Sequence, residues 1–255
     1  MQSNTQNHEI LGILGGLGPM AGVYFCEMLI SHTKAYGDSD HINFLLSSRA
    51  DTPDRSSFIL GQSGDDPLPV MIEEARRLER GGAGLIAIPC NTAHFFYESI
   101  CRAVNVPVLN IIKETAVFCK NCGVSRIGVL ATEGTVASGA YRKFLDGYGI
   151  DMIPLTRDEQ NAVNKIIFEQ IKRGVSPDVD AFLSVAEGLR RRGSQLIVLG
   201  CTELSLIKKQ NALPEDVVDS LELLALSAIT EMGKEPFGFD PNLMKFYGIA
   251  GKDDN

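Results

Sequence analysis

Ile88-Pro89-Cys90-Asn91-Thr92-Ala93-His94 and, further along the chain, Leu199-Gly200-Cys201-Thr202-Glu203-Leu204 are the two stretches from which the fold can be predicted. In each, a cysteine follows a run of apolar residues and precedes small residues that carry hydroxyl or amide groups. This order predicts a buried strand, a sharp turn and the start of a helix. Backbone N–H groups that converge at such a turn would lower the pKa of the thiol and favour thiolate. Two matched sites, 111 residues apart, suggest a pair of catalytic thiols.

The composition is that of a soluble globular protein of 255 residues, with one or two domains expected. The net charge is −8 and no basic stripe is present, so we expect no nucleic-acid partner. No apolar run approaches the roughly 18 residues that span a membrane, and Met1–Glu9 is polar, so we expect a cytoplasmic protein without membrane association. Six cysteines in a chain of this length predict free thiols rather than a disulfide scaffold.

Strand and helix patterns alternate along the chain, which predicts the α/β class with mainly parallel sheets flanked by helices. Gly12-Ile-Leu-Gly-Gly resembles Gly128-Val-Leu-Ala-Thr, and a cysteine follows each after a similar interval. We therefore expect two pseudo-symmetric domains with the active site in the cleft between them, where the carboxyl ends of the strands meet. The predicted boundaries are 1–108 with 217–255 for the first domain and 109–216 for the second. Helices are predicted at 93–104 and 159–173, and a loosely packed tail from Lys234.

Two opposed thiols are suited to removing a proton from one face of a carbon while adding one to the other face. One cysteine must act as a thiolate and the other as a thiol. The ordinary thiol pKa of about 8.5 lies close to the working pH. The pair Cys90 and Cys201 therefore indicates stereoinversion at a carbon next to a carboxylate.

Several motifs together resemble one family. Cys90-Asn-Thr-Ala-His94 and Gly200-Cys-Thr-Glu203 are similar to the two signatures of the aspartate/glutamate racemase superfamily, in its aspartate racemase branch. Further similarities, in the family's order, are Gly12–Pro19 at the amino terminus, Pro53-Asp54-Arg55, and Thr132-Glu-Gly-Thr135. The resemblance covers roughly residues 10 to 230.

The resemblance implies a racemase that uses neither a cofactor nor a metal, acts on a small acidic amino acid such as aspartate or glutamate, and forms a homodimer. Cys90 and Cys201 would be the two acid/bases. Arg55 would bind the side-chain carboxylate of the substrate, with Lys172 as a second cation. The residues that would hold the α-carboxylate and amino group are Asn91, Thr92, Thr132, Thr135 and Thr202. Apart from the resemblance, we expect the Gly16 turn to line the substrate site. Glu203 could orient the substrate ammonium, raise the pKa of Cys201, or simply be an acidic residue at a helix amino terminus.

Some features depart from the family or leave a choice open. Glutamate racemases usually have histidine where this chain has Glu203, and an Asp-Ser-Gly opening that is absent here, which argues against that branch. Arg49 could share or replace the role of Arg55. His94 could tune the Cys90 thiol or simply pack there. Cys119-Lys-Asn-Cys122 lacks the second pair of a metal site and is interpreted as structural.

Two other functions are compatible with the sequence. A decarboxylase or a cis-trans isomerase of a dicarboxylic acid could use the same fold, often with a single cysteine. A binding protein for acidic amino acids would need no reactive thiols. The presence of both Cys90 and Cys201 argues against these alternatives.

Overall fold

The structure, a computed structural model, describes residues 9–246 and confirms the α/β class. Two parallel sheets form. Most of their strands are apolar runs buried on both faces, the pattern typical of parallel strands, whereas the edge strands Phe44–Ser48 and Asp151–Ile153 are partly exposed. The first sheet has the order β2-β1-β3 and the second has the order β5-β4-β6-β7. The strands are β1 (Leu11–Gly15), β2 (Phe44–Ser48), β3 (Leu85–Ala87), β4 (Arg126–Leu130), β5 (Asp151–Ile153), β6 (Leu196–Leu199) and β7 (Val217–Asp219).

The two sheets repeat one topology, which confirms the internal repeat. The central strands β1 and β4 contain Gly12 and Gly128, and a methyl group at either glycine would collide with a neighbouring side chain. Each central strand has the next strand in sequence on one side and the cysteine strand, β3 or β6, on the other. A single parallel bridge from Ile86 to Val108 stands where β7 stands in the second sheet. In the first sheet this edge strand is therefore reduced to one bridge.

Helices cover both sheets. They are α1 (Pro19–Ser31), α2 (Arg55–Ile59), α3 (Leu68–Arg80), α4 (Tyr97–Cys101), α5 (Ile111–Asn121), α6 (Glu133–Ala137), α7 (Ala140–Asp146), α8 (Arg157–Asn164), α9 (Val179–Arg191), α10 (Ser205–Gln210), α11 (Ser220–Glu231) and α12 (Pro241–Phe246). Three 3₁₀ turns at Asp38–Asp40, Thr92–Phe96 and Ile171–Arg173, and a π-helical segment at Lys165–Gln170, complete the elements.

One hydrophobic core runs between the two sheets. Side chains from β1, β4 and β6 meet there with α1, α5, α7 and α11, and α11 is buried along nearly its whole length. A second core packs the outer face of the first sheet against α3 and α4. A third packs the outer face of the second sheet against α8, α9 and the π-helical segment. The two halves thus share a continuous interior, and this interior fixes how the two cysteine turns face each other.

Two predicted helices differ from the observed ones. The 159–173 segment is not one α-helix: α8 gives way to π-helical and then 3₁₀ geometry before Gly174, whose φ is +71°. The 93–104 segment begins with a 3₁₀ turn, and only Tyr97–Cys101 is α-helical. In both places the chain stays helical while changing its pitch next to the cysteine turns, which a sequence period near 3.6 does not distinguish.

The prediction of a loosely packed tail is wrong for residues 234–246. Phe239 and Leu243 are buried in the central core, and the ring of Phe239 stacks on His32 at 4.2 Å between centroids. The rest of that tail, 247–255, lies outside the described residues. The proposed domain boundaries stay a prediction, although β7 differs from them: it pairs with β6 in the second sheet, whereas the boundary at 217 assigns it to the first domain.

Candidate active site

Cys90 and Cys201 lie at the carboxyl ends of the equivalent strands β3 and β6 and line the same small cavity. Both thiols are buried, with 7% and 5% of each residue exposed. The two turns are tied together, because Oγ1 of Thr202 donates a hydrogen bond of 3.2 Å to the carbonyl of Pro89. The structure therefore brings the two predicted thiols to one place between the halves.

Most of the predicted site residues line the same cavity. Its walls include Arg55, Asn91, Thr92, Thr132, Lys172, Thr202 and Glu203, together with Leu17, Asp54 and Ser56. Thr135 stands just behind them and is buried. Gly16 lines a neighbouring pocket, where its φ of +80° and close approach to the backbone of Arg49 leave no room for a side chain.

A cluster of hydroxyl groups joins the two halves at the cavity. Oγ1 of Thr92, from the first half, lies 3.1 Å from Oγ1 of Thr132 and 2.7 Å from Oγ1 of Thr135, both from the second half. Ser56 donates a hydrogen bond of 3.1 Å to Thr132. Thr132 also caps the amino terminus of α6 through the backbone N–H of Thr135. Because hydroxyls both donate and accept, these groups satisfy one another here and are able to turn towards a carboxylate.

The thiol of Cys201 is directly paired with a carboxylate. Its Sγ donates a hydrogen bond of 2.9 Å to Oε2 of Glu203. Burial and then the Glu203 charge raise the pKa of Cys201 well above its usual value, although the nearby Lys172 acts in the opposite direction. The expectation that the turn would favour thiolate is therefore wrong for Cys201. A backbone N–H of Glu203 does lower that pKa, but burial and the carboxylate outweigh it.

Lys172 reaches the cavity from the π-helical and 3₁₀ segment. Its Nζ lies 3.6 Å from Oε1 of Glu203, close enough for an ion pair but too long for a hydrogen bond. Burial would lower the pKa of Lys172, but the Glu203 carboxylate and the two thiols outweigh it, so that pKa is raised. The ammonium group therefore stays charged beside both thiols.

Arg55 begins α2 and is buried, with 6% of the residue exposed. Its guanidinium is held by backbone carbonyls: one terminal nitrogen donates to Thr52 at 3.3 Å and Pro53 at 3.0 Å, and the other donates to Leu17. Nε is buried and has no hydrogen-bond partner among residues 9–246. Arg49, the alternative cation, instead pairs with Asp51, Glu73 and Glu74 and lies outside the cysteine cavity.

The His94 side chain supports the Cys90 turn through a hydrogen bond to the Cys90 backbone carbonyl. The N–H of Ile111 donates to Nε2 at 3.2 Å, so Nε2 is the acceptor and Nδ1 carries the proton that binds the Cys90 carbonyl at 2.8 Å. Burial lowers the pKa of His94 to about 4. His94 therefore joins the Cys90 turn to the start of α5 as a neutral side chain.

Sequence reasoning missed the residues that hold Asn91. The hydroxyl of Tyr141 donates to Oδ1 of Asn91 at 2.7 Å, and Nδ2 of Asn91 donates to Oγ of Ser220 at 3.0 Å. Ser220 in turn donates to the Leu199 carbonyl at the end of β6. This buried chain of hydrogen bonds fixes which way the Asn91 amide points. No local motif indicated it, because Tyr141 and Ser220 come from distant helices.

The cavity between the thiols is nearly closed, with a volume of about 10 Å³, room for about one water molecule. A larger pocket of about 450 Å³ adjoins it. The two share five lining residues, namely Leu17, Asp54, Arg55, Lys172 and Glu203. Glu203 also packs against Gly18, where a methyl group would overlap Oε1. The Lys172–Glu203 pair thus separates the open pocket from the thiols.

Comparison with known proteins agrees with this geometry. The family model for Asp/Glu/hydantoin racemases matches residues 14–228. The chain belongs to the Asp/Glu/hydantoin racemase family. A broad specificity amino-acid racemase of Bacillus subtilis is 30% identical over 224 residues, which are 87% of this chain and 97% of that protein.

Solved structures of racemases share the fold. An aspartate racemase of Picrophilus torridus superposes with a TM-score of 0.80 at 30% identity, covering 94% of this chain and 99% of that one. An aspartate racemase homologue from Pyrococcus horikoshii superposes with a TM-score of 0.70 at 26% identity, over 88% and 99% of the two chains. The protein is thus an amino-acid racemase with the two-sheet fold of this family.

Two other kinds of site are absent from the part of the chain that the structure describes. No group of three or more His, Cys, Asp or Glu side chains there could hold a metal ion. Nor does that part contain a helix with the length and apolar character needed to cross a bilayer.

Proposed function

We propose that the protein interconverts the L and D forms of an acidic amino acid, aspartate in the first instance, by two-base proton transfer between Cys90 and Cys201 without a cofactor. One observation carries this proposal: thiols from two pseudo-symmetric turns line one buried cavity at the carboxyl ends of their strands. A single catalytic cysteine would not require its counterpart to be buried in the same cavity.

Two unpartnered polar atoms of the site support an amino-acid substrate. Nε of Arg55 is a buried donor without an acceptor, and Oε1 of Glu203 is a buried acceptor without a hydrogen-bond donor, in the described part of the chain. An unmade hydrogen bond in a buried site costs free energy until a ligand supplies it. A carboxylate would satisfy Arg55, and an ammonium group would satisfy Glu203. The hydroxyls of Thr92, Thr132 and Thr135 are further donors for a carboxylate.

The proposed reaction moves two protons. A thiolate on one face of the α-carbon takes the α-hydrogen as a proton, and its electron pair stays on the substrate as a carbanion delocalised into the carboxylate. The thiol on the opposite face then gives its proton to that carbon, which inverts the configuration. The developing charge lies near the Lys172 ammonium and the threonine hydroxyls, whose stabilisation is strong in a site with little water.

Substrate entry requires the site to open. A cavity of about 10 Å³ cannot hold an amino acid, whereas the adjoining pocket of about 450 Å³ can. We propose that the substrate first occupies this pocket and then separates Lys172 from Glu203. In this arrangement Lys172 and Arg55 are the cations available to the distal carboxylate, and Arg49 is not.

Incubation with L-aspartate in D₂O tests the proposal. We expect D-aspartate to form with deuterium at the α-carbon, and Cys90→Ala or Cys201→Ala to abolish both. Cys122→Ala, a cysteine outside the cavity, should retain activity. Racemisation that survives either cavity variant would contradict the two-base reaction. Release of CO₂ from a diacid would favour a decarboxylase, and binding without deuteration would favour a binding protein.

The substrate range is a separate question for the same assay. A panel of L-amino acids with acidic, neutral and basic side chains should show a preference for aspartate or glutamate. Equal turnover of neutral side chains would indicate the broad specificity that is named for the relative from Bacillus subtilis.

We also propose a homodimer, as the family resemblance implies. Met20, Val23 and Ile30 are exposed apolar side chains on one face of α1 and would suit an interface. Sedimentation analysis of the protein and of Val23→Asp tests this proposal: a monomeric protein would contradict it.

A further inference from the structure

We propose that Glu203 keeps Cys201 protonated in the substrate-free enzyme, so that catalysis begins with Cys90 as the base. This inference rests on the proposed two-base reaction. It assigns different resting states to two thiols that the fold presents as equivalents.

The two cysteine turns differ at one position of the internal repeat. Two residues after the first cysteine stands Thr92, and two residues after the second stands Glu203. The Thr92 hydroxyl is engaged with Thr132 and Thr135 across the halves. The Glu203 carboxylate instead turns back and accepts a hydrogen bond of 2.9 Å from its own cysteine. A neutral hydroxyl and a carboxylate therefore occupy matching places in the two turns.

The shared proton belongs to the sulfur. An isolated carboxyl group loses its proton near pH 4.3 and a thiol near pH 8.5, so in a pair the carboxylate is the acceptor. The Lys172 ammonium lies 3.6 Å from Oε1 on the other side of the carboxylate. Ionisation of Cys201 would place a second negative charge 2.9 Å from the first in a buried site. This is the reason for the raised pKa of Cys201, after burial itself.

Packing keeps the carboxylate in this position. Glu203 is buried, and the Cα of Gly18 lies against Oε1 so closely that a methyl group there would overlap it. Because the carboxylate ends a flexible side chain, Gly18→Ala would displace it rather than disrupt the backbone. The Gly18→Ala variant therefore moves the Glu203 carboxylate while leaving its charge in place.

One turnover changes the protonation of both thiols. The α-proton passes to the Cys90 thiolate, and Cys201 gives its proton to the opposite face of the carbanion. Cys90 then holds a proton, and Cys201 is a thiolate beside the Glu203 carboxylate. Loss of a proton from Cys90 to water and uptake of one by Cys201 restore the resting state, with no net change. Glu203 favours this return because it destabilises the Cys201 thiolate.

The test measures, against pH, the rate at which iodoacetamide alkylates Cys90 and Cys201 in substrate-free molecules whose cavity has opened, with peptide mapping by mass spectrometry. Both thiols line the same cavity, so its opening limits both rates alike and the difference between their midpoints reports their protonation. We expect the midpoint for Cys201 to lie above that for Cys90 by about one pH unit or more. Glu203→Gln should lower the Cys201 midpoint by about one unit or more and leave the Cys90 midpoint in place. Gly18→Ala should shift the Cys201 midpoint in the same direction.

Gly37→Ala is the matched control, because nothing lies within 4 Å of the added methyl group, and it should leave both profiles unchanged. Equal midpoints in the unaltered protein, or a Cys201 midpoint that does not move in folded Glu203→Gln and Gly18→Ala, would overturn the inference. Alkylation needs no turnover. Failure of aspartate racemisation with the expected alkylation profiles would therefore contradict the proposed function alone.

Discussion

Arg55 uses most of its hydrogen-bonding capacity inside the protein. Its two terminal nitrogens bind the carbonyls of Thr52, Pro53 and Leu17, which join the loop before α2 to the turn after β1. Both segments line the cavity and the adjoining pocket. A residue that resembles a substrate ligand in sequence is therefore also a structural tie between two loops.

Arg55→Lys keeps the charge but loses the planar fork, so an ammonium cannot reach all three carbonyls. We expect the free energy of unfolding to fall by about 3 kcal/mol, since hydrogen bonds from a charged donor contribute roughly 1.5–3 kcal/mol each. Urea unfolding measures this. Arg76→Lys, which alters an exposed hydrogen bond to the Ala103 carbonyl, should change stability by less than about 0.5 kcal/mol. Equal effects at the two positions would contradict the structural role of Arg55.

For individual residues, the sequence predicted which side chains come together at the cysteine cavity but not the protonation state of each one. The turn after β6 was visible from the order of apolar and small residues. The direction of the Cys201 pKa was not, because it depends on the place of the Glu203 carboxylate and on burial. The structural role of Arg55 was likewise hidden, since backbone carbonyls have no sequence signature.

The π-helical segment Lys165–Gln170 is the element that places Lys172. A π-turn closes its hydrogen bonds at i+5 rather than i+4 and so contains an extra residue, which rotates everything that follows. Here it is followed by the 3₁₀ turn that carries Lys172 to 3.6 Å from Glu203. The π-helical segment thus sets the direction in which the Lys172 ammonium group points.

Deletion of Glu169, an exposed residue of this segment, would allow regular α-helical hydrogen bonding and rotate Lys172 away from the cavity. We expect racemase activity to fall roughly tenfold or more, because a misplaced charged group loses most of its effect. Glu169→Ala keeps the register and should keep the activity. The two variants are compared by initial rate and by circular dichroism. A well-folded deletion variant with full activity would contradict the role of the π-turn.

Sequence reasoning could find this segment as helix but not its pitch. Val163, Ile166 and Ile167 recur at the spacing of an ordinary amphipathic helix, and all three are buried in the core of the second sheet. Nothing in this spacing indicates that the next turn widens into π-helical geometry. The hydrogen bonds from Tyr141 to Asn91 to Ser220 were missed for the same reason, since they join α7, a turn and α11.

Two buried groups make opposite contributions to the pH dependence of the stability of the whole molecule. Burial lowers the pKa of His94 to about 4, below its ordinary value of 6.5, so the unfolded chain binds this proton first as pH falls. His94 therefore makes stability rise with pH between about 4 and 6.5. Burial raises the pKa of Asp219 to about 7, from 3.8, so Asp219 makes stability fall as pH rises from 3.8 to 7. The two contributions oppose each other over most of the acidic range.

The His94→Gln variant separates the contribution of His94 to the pH dependence of stability from that of Asp219. The variant lacks the His94 contribution and keeps that of Asp219. We therefore expect the stability difference between the original protein and the variant to shrink as pH falls from about 6.5 to 4, by up to roughly 3 kcal/mol. Urea unfolding at several pH values gives this difference directly. A difference independent of pH would show that His94 titrates alike in the folded and unfolded chains.

The larger architecture was the most predictable level. Two related halves were predicted from the alternation of strands and helices and from the similarity of the segments that begin at Gly12 and Gly128. The sheet orders confirm these halves. The sequence could not show that α11 and β7 bind the halves into one continuous core. That property depends on contacts between segments nearly two hundred residues apart, such as α1 with α11.

The threonine cluster that joins the halves also stabilises the closed form of the site, so its hydrogen bonds oppose the binding of substrate. Every hydrogen bond among Thr92, Thr132 and Thr135 stabilises a form whose cavity admits nothing larger than water. The apparent affinity for substrate is then the intrinsic affinity multiplied by the fraction of molecules that are open. Weakening the closed form would raise that fraction and tighten apparent binding, even as it removed hydroxyls to which the proposed reaction assigns stabilisation of the carbanion. A change to these few hydroxyl groups is therefore expected to raise the apparent affinity for substrate and to lower the rate of reaction at the same time.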